Sequence, residues 1–437
     1  MISKYKDLLN HSPDPELASL RLERLLQEAA VGNVLREKPA EFTQVFIHII
    51  TVSNFLFHYL CREPEAIHLI GSEQSELVHI TKVSDIQGLR LLKYRELLRI
   101  TSLDIYNQIP YEQILLALSE LADEILNKML ELIVADQELK WANKEVPFAL
   151  FAMGKLGAQE LNYSSDVDLI FVCANSEDIK GDVNEYYSAV VQRIRYFIRY
   201  LEEKNSTGFL YRVDLNLRPW GRSAPLVMSI DDTEHYYEAS TEAWERFAWL
   251  RARCITGSES LAVDMLERLH PFRYRNILSL EDLERFIGIK DEMSDIRKRE
   301  GCWNVKMGEG GIRDIEFFIQ LLQIVNAKHH PDLQQTNTMK LLTCMVEIGL
   351  VDGEEAENIR ESYLFLRRLE NRLQMVDEFQ VHDLPDEELK RHVIARSLGF
   401  TDDDKSVTLD NFDQYLISQR NVAKACFDKI LLKGQEI

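Results

Sequence analysis

The strand-forming signal in this 437-residue chain is confined to one stretch, 146–217, and both sides of it read as helix. Helix-period apolar spacing runs from about Glu16 to Trp141, with Leu-rich helices free of Gly and Pro predicted over Leu89–Ile105 and Ile114–Ile133. The central stretch predicts short apolar strands over Phe148–Met153 and Asp168–Cys173, a helix over Tyr186–Leu201, and a third strand over Phe209–Leu217. After Pro225 helix resumes. An aromatic helix over Ala243–Arg253 carries Trp244, Phe247 and Trp249, and an amphipathic helix over Leu280–Arg299 ends in Arg297-Lys298-Arg299. A glycine-rich hinge, Met307–Gly311, opens a helix from Ile312 to about Ala327, and further helices follow from Asn337, including Glu354–Val376. The expected class is α+β and mostly helical. A small mixed sheet in a core over 141–275 is inserted between an N-terminal helical region, 1–140, and a C-terminal helical bundle, 276–437.

The chemistry concentrates where the strands begin. A Gly154-Lys155 turn and a polar loop lead to Ser164-Ser165, then to Asp166-Val167-Asp168 at the start of an apolar strand. Side chains alternate along a strand, so Asp166 and Asp168 share one side while Val167 faces the core. Two carboxylates at the lip of a Gly- and Ser-bearing loop suit a divalent metal held against phosphate oxygens, the layout of a nucleotidyltransferase site. In the third predicted strand Arg212, Asp214, Asn216 and Arg218 face one way, opposite Val213, Leu215 and Leu217. Asp214 is then either a third metal-binding carboxylate or one rung of an ion-pair ladder with its arginines. Guanidinium groups at 212 and 218 match phosphate oxygens.

Gly154 and Gly157 read as turn residues that also let backbone N–H groups approach phosphate, with Ser164 or Ser165 adding a hydroxyl. Lys155 is either a phosphate ligand or a solvated loop residue. In the helix from Ile312, Arg313, Glu316 and Gln320 share a face that either supports the site or is plain surface. Trp244, Trp249 and Trp303 read as core more readily than as stacking platforms for a base.

Composition narrows the partners. A net charge of −21 argues against nucleic acid, whose backbone calls for a basic surface, and leaves a small nucleotide open. Six scattered cysteines show no metal-ligand spacing, which predicts free thiols in a reducing cytoplasm. The apolar window from Gln44 to Leu60 is interrupted by polar residues and reads as a buried helix, so no membrane span is expected. The histidines form no zinc motif, and Gly154-Lys155 lacks the rest of a Walker A sequence.

Gly154-Lys155-Leu156-Gly157 together with Ser164-Ser165-Asp166-Val167-Asp168-Leu169-Ile170-Phe171 resembles the signature of the bifunctional glutamine synthetase adenylyltransferase/adenylyl-removing family. So do Tyr211-Arg212-Val213-Asp214 with Leu217-Arg218-Pro219, Gly308-Glu309-Gly310-Gly311-Ile312-Arg313-Asp314-Ile315-Glu316-Phe317, and Asn371-Arg372-Leu373-Gln374 with His382. Asn216 departs from the family, which usually has arginine there. The Glu160–Asp166 wording is more similar to the adenylyl-removing half, and one Asp-x-Asp module is present.

The resemblance implies removal of AMP from a glutamine synthetase tyrosine, with orthophosphate consumed and ADP released. Asp166, Asp168 and Asp214 would hold two Mg²⁺ ions. Gly154, Lys155, Ser164 and Ser165 would cradle phosphates, and Arg212 and Arg218 would screen the orthophosphate. The helical bundle would dock glutamine synthetase or the PII regulatory protein. The rival expectations are the forward, ATP-dependent adenylyltransferase and a non-catalytic adaptor for glutamine synthetase or PII.

Overall fold

A computed structural model describes residues 2–136, 146–241, 243–274, 302–402 and 404–433. The predicted helix Leu280–Arg299 and the expected boundaries at 140/141 and 275/276 lie outside the described residues.

The N-terminal region is helical as expected. Its main members are α1 (Ala40–Val52), α2 (Ile86–Tyr106) and α3 (Tyr111–Ala135). The Asp85 carboxylate caps α2 by accepting the Gly88 N–H at 2.7 Å, and Asn107, in the left-handed region at φ 55°, ends it. Unlike a surface helix, α2 buries charged residues along with apolar ones: Lys93, Glu96, Arg99 and Asp104 are all enclosed. Each has an ion-pair partner, which is what makes such burial tolerable.

The sheet comprises β1 (Phe148–Ala152), β2 (Val167–Cys173), β3 (Val213–Asp214), β4 (Met228–Ser229) and β5 (Arg253–Gly257). The one-turn helix α4 (Gly154–Gly157) joins β1 to β2, and α5 (Val183–Glu202) follows β2. Antiparallel β1 lies between β2 and β5, while β3 and β4 pair in parallel with successive halves of β2's other edge. Alternation assigns the two faces. Phe148, Leu150, Leu169 and Phe171 join the core shared with α5 and the N-terminal helices. Ala149, Phe151, Ile170 and Val172 pack on the opposite face, against Tyr237 and the fully buried Trp249.

Three sequence expectations change. The strand over Phe209–Leu217 shortens to Val213–Asp214, because the Asp214 carboxylate accepts the Asn216 N–H at 2.7 Å and turns the chain. The helix over Ala243–Arg253 stops as α6 (Ala243–Leu250), and Arg253 begins β5. β4 and β5 both arise where only helix was expected.

The C-terminal bundle contains α7 (Ile312–Asn326), α8 (Thr338–Glu347), α9 (Gly353–Gln374) and α10 (Lys405–Lys433), with α7, α9 and α10 packed on one another. Phe247 and Leu250 of α6 join its core, tying the bundle to the sheet. Among the described residues no single helix is long and apolar enough to cross a membrane. The apolar helices Ala40–Val52 and Asn54–Arg62 are bent 113° from each other, and α1 is largely buried. All six cysteines are free.

Candidate active site

The parallel pairing of β2 with β3 sets Val167 opposite Val213 and Asp168 opposite Asp214. Two acids far apart in sequence therefore emerge side by side, on the face that carries Ile170 and Val172. Their position is fixed by backbone register as well as by rotamer. The turn after β1 lies directly against them. Gly154 sits in the left-handed region at φ 55°, and a Cβ there would fall 2.5 Å from Asp168 Oδ2. Glycine is required for both reasons. Burial, and then the neighbouring Asp214 charge, raise the Asp168 carboxyl to about 6.

Asp166 behaves differently. Its Oδ1 accepts from Arg212 Nε at 2.6 Å, and the same guanidinium donates to the carbonyl of Ser164 and, at 3.0 Å, to its hydroxyl. Asp166 lines the cleft but is held by its arginine. Among the described residues no three His, Cys, Asp or Glu side chains converge as a ready set of metal ligands. The structure thus brings Asp168 and Asp214 together and leaves Asp166 turned to Arg212.

The other predicted residues divide. Ser165 and Gly154 line the cleft. Ser164 is buried, its N–H donating to Gln374 Oε1 at 3.3 Å. Arg218 folds back on its own loop, donating to the carbonyls of Leu215, Ala224 and Pro225. Lys155 is neither solvated nor free: its ammonium donates to both oxygens of Glu370, at 2.8 and 2.7 Å. Burial drives this lysine down to about 7 against the pull of Glu370. Glu370 is itself held well below the usual carboxylate range despite its burial, by Lys155 and His382. One carboxylate serving several cations stays ionised but compensates each only in part, so both directions are consistent. Gly157 packs where a Cβ would lie 1.8 Å from the Arg251 carbonyl oxygen. Gly157→Ala is therefore expected to cost upwards of about 3 kcal/mol by forcing backbone apart. A thermal melt indistinguishable from wild type would contradict that contact.

The C-terminal bundle closes the site, an open cleft of about 390 Å³. On α9 the positions Arg367, Glu370, Asn371 and Gln374 share one helical face, and all meet the loop that carries the acids. Arg367 donates to the Asn162 side chain at 2.6 Å and to the Glu160 carbonyl, Asn371 accepts the Tyr163 N–H at 3.2 Å, and Gln374 accepts from Ser164. From α7 come Arg313, Glu316 and Gln320, the face left open between support and surface, and all three line the cleft. Burial would raise Glu316, but Arg251 at 3.0 Å and Arg313 at 3.2 Å bring it well below the ordinary range. Trp244 lines the cleft, whereas Trp249 is core, packed on Phe151 and Tyr237.

Sequence reasoning singled out neither Lys306 nor Glu370, named Arg251 only as one of a cluster of arginines, and met Gln374 only within a family-like motif; all four belong to this site or hold it. Lys306 directly precedes the glycine-rich hinge, a signal that was available. Arg251 was hidden inside a segment read as continuous helix.

The small mixed sheet, with paired strand-borne carboxylates beside a glycine turn and helices around it, is a nucleotidyltransferase-type α+β fold. Residues 43–268, more than half of the chain, match the family model of glutamate-ammonia ligase adenylyltransferase, and the chain belongs to that family. Residues 290–431 match the model of the GlnD PII-uridylyltransferase.

Proposed function

We propose that this protein removes AMP from an adenylylated tyrosine of glutamine synthetase (glutamate-ammonia ligase) by phosphorolysis. An orthophosphate oxygen attacks the α-phosphorus in line, the bond from phosphorus to the tyrosyl oxygen breaks, and ADP and the tyrosine phenolate leave. The phenolate then takes a proton from water. The observation that carries a phosphoryl-transfer reading is the Asp168–Asp214 pair lining the cleft. The direction rests on the Glu160–Asp166 wording.

A divalent cation suits this pair, because two crowded carboxylates, one already pushed up by burial and then by its neighbour, are relieved by positive charge between them. Asp168 and Asp214 would hold Mg²⁺, with Asp166 joining once released from Arg212. The metal would supply charge neutralisation at the α-phosphoryl group. Gly154 keeps the turn flat against Asp168, and Ser165 offers a hydroxyl to a phosphate oxygen. Arg212 orients Asp166 and the Ser164 backbone. The bundle, whose residues match a model of an enzyme acting on PII, is the proposed docking surface for PII as regulator.

The forward adenylyl transfer from ATP is the second reading, favoured by the description of the matched family. The protein is to be mixed with adenylylated glutamine synthetase, Mg²⁺ and orthophosphate. ADP that forms only when orthophosphate is present is the expected result. Label moving from ATP onto unmodified glutamine synthetase, without phosphate-dependent ADP, would reverse the direction.

A further inference from the structure

The cations that the sequence offered for phosphate are already committed. Arg212 is used by Asp166 and Ser164, Arg218 by three carbonyls, and Lys155 by Glu370. Arg251 and Arg313 are both taken by Glu316. Lys306 differs. It lines the cleft, its ammonium makes no hydrogen bond or ion pair among the described residues, and its charge favours the ionised form of Asp168. Its backbone is anchored nonetheless. The Lys306 N–H donates to Asn304 Oδ1 at 3.1 Å, and its carbonyl accepts the Arg313 N–H at 3.1 Å. A free cation on a fixed stem is pre-organised for an anion.

Gln374 is an independent observation. Its side chain is 1 % exposed and lines the same cleft. The Ser164 N–H requires an acceptor, so the carboxamide oxygen must face it, since the flipped amide would oppose two donors. Nε2 is then left buried with no hydrogen-bond partner among the described residues. An unpaired buried donor is costly, and a ligand oxygen would satisfy it.

We propose that Lys306 and Gln374 form the subsite for the phosphate group that lies beyond the adenylyl phosphorus. That group is orthophosphate on entry and the β-phosphate of ADP on exit. The ammonium balances its charge and the carboxamide donates one hydrogen bond. The assignment rests on the phosphorolytic reading above and places the C-terminal segment in direct contact with substrate.

The test is calorimetric titration of ADP and of AMP, each with Mg²⁺, into the wild-type full chain and into K306M, K306R and Q374E. Glutamate at 374 keeps an acceptor for Ser164 while replacing the free donor with negative charge. K306M and Q374E are expected to weaken ADP on the order of ten- to a hundredfold, the reach of one charge-assisted hydrogen bond. AMP, which lacks the β-phosphate, should change less than about twofold, and K306R should recover most of the ADP affinity. Equal losses for ADP and AMP, or unchanged ADP binding, would overturn the subsite while leaving the phosphorolytic reading intact. A wild-type protein that binds neither nucleotide overturns that reading, and the subsite with it.

Discussion

Asp168→Asn is expected to abolish turnover and, with divalent cation removed, to make the protein more stable than wild type. The Asp168 carboxyl is raised from 3.8 to about 6 by burial and by Asp214. The folded state therefore binds this proton more tightly than the unfolded chain does. By linkage, stability falls as pH rises from about 4 to 6 and stays lowered at neutral pH, by on the order of 3 kcal/mol. Asparagine fills the same space without the charge and removes that cost. It also removes one of the two carboxylates proposed to hold metal, so activity should fall by about a thousandfold or more. Melting in EDTA near neutral pH, and again with Mg²⁺, reads both effects. The variant should melt higher in EDTA and gain less than wild type from Mg²⁺. A variant that melts lower in EDTA, or keeps its turnover within tenfold, would contradict the reading of this pair.

Glu370→Ala should be the most destabilising single change to a side chain outside the cleft's reacting groups. The carboxylate is fully buried and gathers Lys155, the Asn162 carboxamide at 2.5 Å, His382 at 2.9 Å and Arg367 at 3.4 Å. Removing it strands the buried Lys155 ammonium and takes a carboxylate from beside Arg367, a loss on the order of 3–5 kcal/mol. Lys155 belongs to the turn that supports Asp168, and Asn162 to the loop that delivers Asp166. Catalysis should therefore weaken even where the fold survives. Glu370→Gln keeps the hydrogen-bonding shape without the charge, and should fall between wild type and alanine in both denaturant midpoint and kcat. Alanine and glutamine variants that unfold alike with wild-type midpoints would show that the cluster is not compensated through Glu370.

Much of this was legible in the sequence, for identifiable reasons. Phe148–Ala152 and Val167–Cys173 were readable because buried apolar runs bounded by turn signals have few alternatives. Asp166, Asp168 and Asp214 were singled out through strand alternation, and the Asp168–Asp214 adjacency comes from β3 pairing with β2. The misread segments were those where side chains compete with local pattern. Asp214 caps its own turn and ends β3, and Arg253, bonded to Asp123 and to the Leu156 carbonyl, starts a strand at what reads as the last residue of a helix. Lys155, Arg212 and Arg218 were recognisable as cations near the site. Their partners, among them Glu370 some two hundred positions away, were not, because long-range pairing leaves no periodicity to read.

The contacts made by α9 bear on how such proteins can be rebuilt. The two matched segments, 43–268 and 290–431, look like separable cassettes, yet the backbone of the loop before β2 is hydrogen-bonded by Asn371 and Gln374 of the second. Glu160 of the first receives Thr338 and Tyr363 in return. A chimera that grafts a relative's bundle onto this sheet inherits an active site only if both sides of that contact travel together. The unit of exchange is the seam, not the cassette.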